Sequence, residues 1–330
     1  SSESERALDS ATQLGIRGYA SWQELLENEK DTVDCVVIVT PNNSHAEIAT
    51  SALELGYHVV LDKPMTRTLD EATALAKIAS NSNKVFAMTY TYTGYPMVRQ
   101  MTKMISDGII GKIQKVDAQY LQGWLNPIIH EKDKRSSTWR LDPEKSGPSC
   151  CLGDIGTHAF NMVELVTGMK VNKLLADLNT LYEDNPMDID ANILIQFSNN
   201  AKGTIRSSQI ATGEENNIRI NVYGSKGALK WEQENPNYLY HLSDDKPLQV
   251  LKPGHLQIKV YHNHDNEFVF LQFLDVIITS NSTKTELLCN INYDAYQKYQ
   301  LLAGRHVDIN PCGRLTKKEE TTIRNNYYHK

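Results

Sequence analysis

Val36-Val-Ile-Val-Thr-Pro-Asn-Asn-Ser-His45, with Ala52-Leu-Glu-Leu-Gly-Tyr-His-Val-Val-Leu-Asp-Lys-Pro64 close behind it, is the stretch from which the fold is read. Val36-Val-Ile-Val39 and Val59-Val-Leu61 are short runs apolar on both faces, the pattern of parallel strands covered by helices on each side. Between them Ser44-His-Ala-Glu47 has the spacing of a capping box, Ala49, Ala52 and Leu53 form an apolar helix face, and Gly56 supplies a permissive stop. The same alternation continues outward. Ser21-Trp-Gln-Glu24 marks a helix start upstream. Thr68-Leu-Asp-Glu71 marks another downstream, with Ala72, Leu75, Ala76 and Ala79 as its apolar face and Val85-Phe-Ala-Met88 as a third buried run. The expected class is α/β, opening with a doubly wound parallel sheet whose ligands bind beyond the carboxyl ends of the strands. Those ends read Thr40-Pro41-Asn42, Asp62-Lys63-Pro64 and Thr89-Tyr-Thr-Tyr92.

From about Lys115 the period changes to two. Val116/Ala118/Tyr120, Ile189/Ala191/Ile193/Ile195/Phe197 and Ile218/Ile220/Val222 alternate apolar with polar, and Gly224-Ser-Lys-Gly227 turns the chain into Ala228-Leu-Lys-Trp231. This predicts a second unit with an open, mostly antiparallel sheet, one face buried and one solvated. One helix is expected over 156–167. The apolar segment 268–278 is expected to form a further helix returning to the core, and the polar stretch 315–330 reads as a tail.

Composition narrows the chemistry. The 330 residues carry 34 basic and 40 acidic side chains, a net charge of -6. Without a Lys/Arg block, neither nucleic acid nor an anionic membrane is the expected partner. No run approaches the roughly 18 apolar residues of a membrane span, and the first residues lack the plan of a signal peptide, so a cytoplasmic location is expected. Cys35, Cys150, Cys151, Cys289 and Cys312 are an odd, irregularly spaced set that indicates neither a disulfide framework nor a metal site. Small-molecule chemistry is the remaining class.

Three groups of residues are able to carry it. Asp154 and His158, four apart at a helix start, share a face if the helix begins early enough, and a carboxylate beside an imidazole suits proton transfer. The same pair also reads as an N-cap and a satisfied core histidine. Lys63 stands where ligands bind in this architecture, and its ammonium exchanges protons near neutrality when desolvated; the alternative is a solvated loop lysine. The Lys63–Pro64 bond is a candidate for the cis form. Thr40-Pro-Asn-Asn-Ser-His45 leads into a helix N-terminus that favours polar or anionic groups, or is an ordinary strand-to-helix loop. No complete G-x-G-x-x-G occurs.

The residues 40–45 and 52–64 quoted above, with Gly153-Asp-Ile-Gly-Thr-His-Ala-Phe-Asn161, resemble the Gfo/Idh/MocA oxidoreductases, the glucose-fructose oxidoreductase and inositol dehydrogenase family. Thr91-Tyr-Thr-Gly-Tyr-Pro-Met-Val-Arg-Gln100 and Gln122-Gly-Trp-Leu125 resemble its sugar and polyol branch, including levoglucosan-dehydrogenase-like members. The resemblance implies a Rossmann-type dinucleotide-binding domain over 1–93, a substrate and oligomerisation α/β domain over 94–287, and a divergent segment over 288–330. It implies hydride transfer between a sugar or cyclic polyol carbon and NAD or NADP. Lys63 and His158 would share the proton chemistry, with Asp154 orienting and charging the histidine. Thr40, Pro41, Asn42, His45, Asp62 and Lys63 match positions lining the cofactor crevice; Tyr92, Tyr95, Trp139 and Arg140 fall on the substrate side. A sugar or polyol is the implied partner, with homo-oligomerisation through the open sheet.

Three departures temper that expectation. Members open with a strand, a glycine-rich phosphate loop, a helix and a second strand ahead of the stretch that Ser1 begins, roughly 30–40 residues that this sequence does not contain. Ser146-Gly-Pro-Ser-Cys-Cys-Leu152 stands where a glycine-rich approach is usual, and the resemblance fades after Leu287. The alternatives are a catalytically silent relative that senses a dinucleotide or sugar, an inactive remnant, and a glycosidase that works by transient oxidation.

Overall fold

A computed structural model describes residues 4–135, 137–180 and 187–253 and the strand segments 267–271 and 276–280. The expectations for 288–330, including Cys289, Cys312 and the tail, lie outside the described residues.

The chain opens with helices α1 (Ser4–Leu14) and α2 (Trp22–Asn28), then alternates β1 (Cys35–Ile38), α3 (His45–Glu54), β2 (His58–Leu61), α4 (Leu69–Asn81) and β3 (Phe86–Met88). The three strands pair in parallel, Val36 opposite Val59 and Val60 opposite Ala87. Local chemistry explains the helix limits. Thr68 and Glu71 form a full capping box at α4, each side chain accepting from the other's backbone amide. Ser21 caps α2 through the Glu24 amide. Ser44 does not act as a cap: a short 3-10 turn (Asn42–Ser44) precedes α3, and the Ser44 hydroxyl bonds Thr40 Oγ1 and the Pro41 carbonyl instead. Gly56 has the positive φ of a helix stop. Ala49, Ala52 and Leu53 of α3 pack with Val59, Leu61 and Leu75 in a core that is almost fully buried. Ala76, expected on the same face, points to solvent.

The covering of β1 differs from expectation. Val37 and Val39 are 51% and 72% exposed, so only one side of this edge strand is packed among the described residues. The segment 268–278 is also corrected. It forms β12 (Glu267–Leu271) and β13 (Val276–Ser280), an antiparallel pair that joins the first sheet beside β3 in the order β1-β2-β3-β13-β12. A short apolar run is ambiguous in period, and here its aromatic and β-branched content decided for strand.

The second unit follows α5 (Pro96–Ser106). Its first strand is β4 (Ile113–Leu121), followed by the short helices α6 (Asn126–Ile129), α7 (Lys132–Arg135) and α8 (Pro143–Ser146) and by α9 (Thr157–Thr167). Then come β5 (Val171–Asn179), β6 (Asp190–Phe197), β7 (Lys202–Ser208), β8 (Asn217–Gly224), β9 (Ala228–Glu232), β10 (Leu239–Ser243) and β11 (Lys246–Leu251). The order is β11-β10-β9-β8-β4-β7-β6-β5, antiparallel except for the pair β4 and β7. Met97 and Met101 of α5 and Ala159, Met162 and Val166 of α9 pack on Val116, Ile195, Ile205 and Ile220. The other face carries Leu194 and Arg206 in the open. Among the described residues no helix is long and apolar enough to cross a membrane.

Candidate functional site

Two adjoining cavities lie at the carboxyl ends of β2 and β3, between the two units. The larger, about 410 Å3, is walled by Lys63, Asp154, His158 and Arg140 on one side and by Tyr92, Tyr120, Gln122, Trp124 and Asn216 on the other. The smaller, about 210 Å3, is lined by Thr40, Asn42, Pro64, Trp139 and Ser146 among others. Asp62, Lys63, Arg140 and Asp154 border both.

Asp154 is delivered by a wide π-helical turn (Leu152–Gly156) just ahead of α9. Gly156 permits this turn to lie on β7, since a Cβ would stand 2.6 Å from Leu152 Cδ2 and 3.1 Å from Ser207 Oγ. The carboxylate is fully engaged. Lys63 Nζ donates to Oδ1 at 2.8 Å and to the Asp154 carbonyl at 2.7 Å; Arg140 Nε at 3.0 Å and Gln209 Nε2 at 2.9 Å donate to Oδ2. Burial pushes this carboxyl up, but the Lys63 and Arg140 cations outweigh it and hold it below its ordinary range. Lys63 has one N–H left for a further acceptor. Its bond to Pro64 is cis.

His158 reaches the larger cavity as the spacing implied, and Asp154 acts on its ring through space, raising its pKa by less than burial and Lys63 lower it. No hydrogen bond joins the two, because Lys63, Arg140 and Gln209 occupy the carboxylate. The ring is held by edge-on contacts with Tyr90 and Tyr92, at 5.6 and 4.9 Å between centroids. Burial, with Lys63 adding to it, lowers its pKa from 6.5 to about 3 against a smaller opposite pull from Asp154. The imidazole is therefore neutral, and it takes up a proton only from a strong acid.

The opposite wall is a polar lattice. Trp124 Nε1 donates to Gln122 Oε1 and Gln122 Nε2 to Asn216 Oδ1. Asn216 Nδ2 donates to the Tyr92 hydroxyl, which shares a hydrogen bond with Tyr120, which donates back to Asn216 Oδ1.

The expected cofactor-side residues divide. Thr40, Asn42, Asp62 and Lys63 line the smaller cavity. Asn42 also ties the units together, donating from Nδ2 to the Ser146 carbonyl at 3.0 Å. His45 is fully buried and is a strut, its ring nitrogens 2.8 Å from the Thr40 carbonyl and 2.9 Å from the Pro64 carbonyl. Pro41 starts the 3-10 turn. On the substrate side, Tyr92 and Arg140 border the larger cavity, whereas Trp139 borders the smaller one beneath the Arg140 guanidinium. Tyr95 lines neither: it packs between Tyr92 and Trp231. Gln209, Asn216 and Tyr120 were missed as site residues. Tyr120 read as an inward core position, although a buried tyrosine hydroxyl needs a partner and so signals a polar site.

Residues 1–90 match the oxidoreductase family's NAD-binding Rossmann-fold domain, and residues 98–230 match the Gfo/Idh/MocA C-terminal domain. An oxidoreductase of Bacillus subtilis, itself uncharacterized, is 32% identical over 313 residues, covering 88% of this chain and 80% of the relative. This chain belongs to the Gfo/Idh/MocA oxidoreductase family. Levoglucosan dehydrogenase of Pseudarthrobacter phenanthrenivorans is 30% identical, over 70% of this chain and 63% of that enzyme. Among solved structures, an inositol dehydrogenase homologue of Azotobacter vinelandii in complex with NAD+ superposes with a TM-score of 0.73 at 32% identity, covering 78% of this chain and 68% of that one.

A Gfo/Idh/MocA chain implies a nicotinamide cofactor, and the smaller cavity fits its nicotinamide-ribose end. Asp62 accepts from the Lys63 amide and from Thr89 Oγ1 at Oδ1, leaving Oδ2 without a partner among the described residues. A carboxylate oxygen without a protein donor suits a ribose hydroxyl. In this family member, among the described residues, no group of three His, Cys, Asp or Glu side chains is arranged to hold a metal.

Proposed function

We propose that this chain is an NAD- or NADP-dependent oxidoreductase of a neutral sugar or cyclic polyol, with its nucleotide-binding part in 1–93 and its substrate-binding part from 94 onward. The observation that carries the reading is Lys63, which borders both cavities with one N–H uncommitted while Asp154 holds it from below. The Lys63 N–H points the substrate hydroxyl oxygen toward the seam between the cavities. His158, neutral and unbonded, takes the hydroxyl proton as hydride leaves the carbon and the hydroxyl turns acidic, and Lys63 stabilises the charge on the oxygen. Asp154 bonds Lys63 directly and acts on His158 only through space. Nicotinamide, when bound, supplies the hydride acceptor. Arg140 and the Tyr92–Asn216 wall fix the ring of the substrate, and the polyhydroxylated ligands named for the relatives agree with a wall made of hydroxyls and amides.

Incubation with NAD or NADP and a panel of sugars and cyclic polyols, levoglucosan and myo-inositol included, is expected to reduce the nicotinamide. Lys63→Met abolishes turnover while cofactor binding is largely retained; undiminished turnover rejects the assignment. His158→Ala slows turnover by about 10²–10⁴-fold, the usual contribution of a positioned acid or base. Self-association of a second copy through the exposed face that carries Leu194 belongs to the same reading, and sedimentation velocity at micromolar concentration checks it.

A further inference from the structure

Behind Asp154 lies a second layer of polar side chains to which the proposed chemistry assigns no part. Asp188 is 4% exposed and Gln209 is fully buried. Both come from the second sheet: Asp188 just precedes β6, Gln209 just follows β7, and the Gln209 amide donates to the Ile189 carbonyl at 3.0 Å. Their side chains converge on residues 150–152, the entry to the π-helical turn. The Asp188 carboxylate accepts from the Cys150 amide at 3.1 Å and the Leu152 amide at 2.7 Å, and its carbonyl accepts from the Cys151 amide at 2.9 Å. Three successive amides are thus fixed by one residue, at the point where a π turn leaves its first donors without partners.

Gln209 completes the arrangement. Its Oε1 accepts from Cys150 Sγ at 3.1 Å, and its Nε2 donates to Asp154 Oδ2 at 2.9 Å. The Asp154 carboxylate settles which way the amide faces, because it only accepts and the hydrogen-bearing nitrogen must point to it, which leaves Oε1 to the Cys150 thiol. Asp154 therefore has two cationic partners on the cavity side and, behind, one neutral partner that is itself held by Cys150. Truncating Gln209 leaves the carboxylate free to rotate toward Arg140, whose side chain is 38% exposed, and to draw away from Lys63.

We propose that Asp188 and Gln209 are positioning residues which, by fixing the π turn and the Asp154 carboxylate, set where the Lys63 ammonium stands in the larger cavity. The proposal rests on the catalytic reading of Lys63 only for its consequence in turnover; the positioning is measurable without it. A hydrogen bond contributes a factor of about two to ten, and a misplaced reacting group costs about 10- to 100-fold in rate.

The test is competitive acetylation of lysine amines in the folded protein, read by mass spectrometry, with exposed Lys170 as internal reference. Gln209→Met keeps volume and removes both bonds, and is expected to raise Lys63 labelling by about two- to tenfold relative to Lys170. Cys150→Ala, which leaves Gln209 Oε1 without its donor and so loosens the amide, raises it in the same direction, while Cys150→Ser retains a donor and keeps the wild-type rate. Asp188→Asn turns an acceptor into a donor facing an amide N–H and raises labelling as well. In turnover, Gln209→Met lowers kcat by about 10- to 100-fold with KM changed by less than about twofold. Unchanged Lys63 labelling in both Gln209→Met and Cys150→Ala overturns the proposal whatever the activity. Raised labelling in a protein that oxidises no sugar leaves the positioning intact and rejects the functional reading instead.

Discussion

His158 shows how a single residue ties the site to the stability of the whole. Its imidazole is buried neutral, with a pKa near 3, whereas the unfolded chain takes up a proton near 6.5. Below pH 6.5 the unfolded state binds more protons, so stability falls as pH falls, by about 2 kcal/mol at pH 5. Asp154, whose folded pKa is depressed, adds a loss in the same direction at lower pH. Urea titrations at pH 7 and pH 5 are expected to show that His158→Gln loses less stability on acidification than wild type; equal losses would mean that the ring is charged in the folded protein. The residue types were legible in the sequence, since Lys-Pro after a buried strand and Asp-x-x-x-His at a helix start both stand out. Their partners were not. Gln209 is a lone glutamine after a strand, carrying no period and no motif, and it meets Asp154 only because β7 runs parallel to β4 behind the π turn.

At the scale of elements, the strap from Trp139 to Gly147 illustrates a constraint that spacing alone does not reveal. It carries Arg140 over Asp154 and rests on the first unit through Arg67 Nη1, which donates to the Glu144 carbonyl at 3.1 Å. Gly147 has φ +95, and a Cβ there would lie 2.5 Å from the Arg67 carbonyl oxygen. Gly147→Ala is expected to cost about 1–3 kcal/mol in chemical denaturation, with a weaker Arg140 contact and reduced turnover. Thr68→Ala, which removes one half of a capping box whose residues line neither cavity, is expected to cost about 1 kcal/mol and leave turnover unchanged. The capping signals of α2 and α4 and the period-two runs of β4, β6 and β8 were readable because each depends on neighbours within a few residues. The strand pair of 267–280 was not, because a short apolar run fits a helix or a strand until its pairing partner is known. Ser44 misled for a related reason: its spacing to Glu47 was right, but the 3-10 turn ahead of α3 turned its hydroxyl back to Thr40.

For the whole molecule, the two units meet through polar contacts around the cavities, among them Lys63 with Asp154, Asn42 with Ser146, the Tyr90 hydroxyl with Thr157, Tyr92 with Asn216 and Arg67 with Glu144. Asn42→Ala leaves the Ser146 carbonyl without its partner and is expected to lower stability by about 1–2 kcal/mol, seen as an earlier urea midpoint. The division into a parallel and a mostly antiparallel sheet was visible in the change of period near Lys115. The cavities between them were not, since their walls gather Lys63, Tyr120, Asp154 and Asn216 from four separate parts of the chain.

The seam shared by the two cavities holds two cations, Lys63 and Arg140, and two carboxylates, Asp62 and Asp154, beside a neutral His158. Their charges cancel, so the field of the seam dies away within a few ångströms and reaches no distance into solution. An uncharged guest is thus admitted by shape and short contacts and not drawn in from afar. Its rate of arrival should be flat as ionic strength is raised, and only a charged guest meeting a seam stripped of one member, as in Arg140→Ala, would be governed by salt.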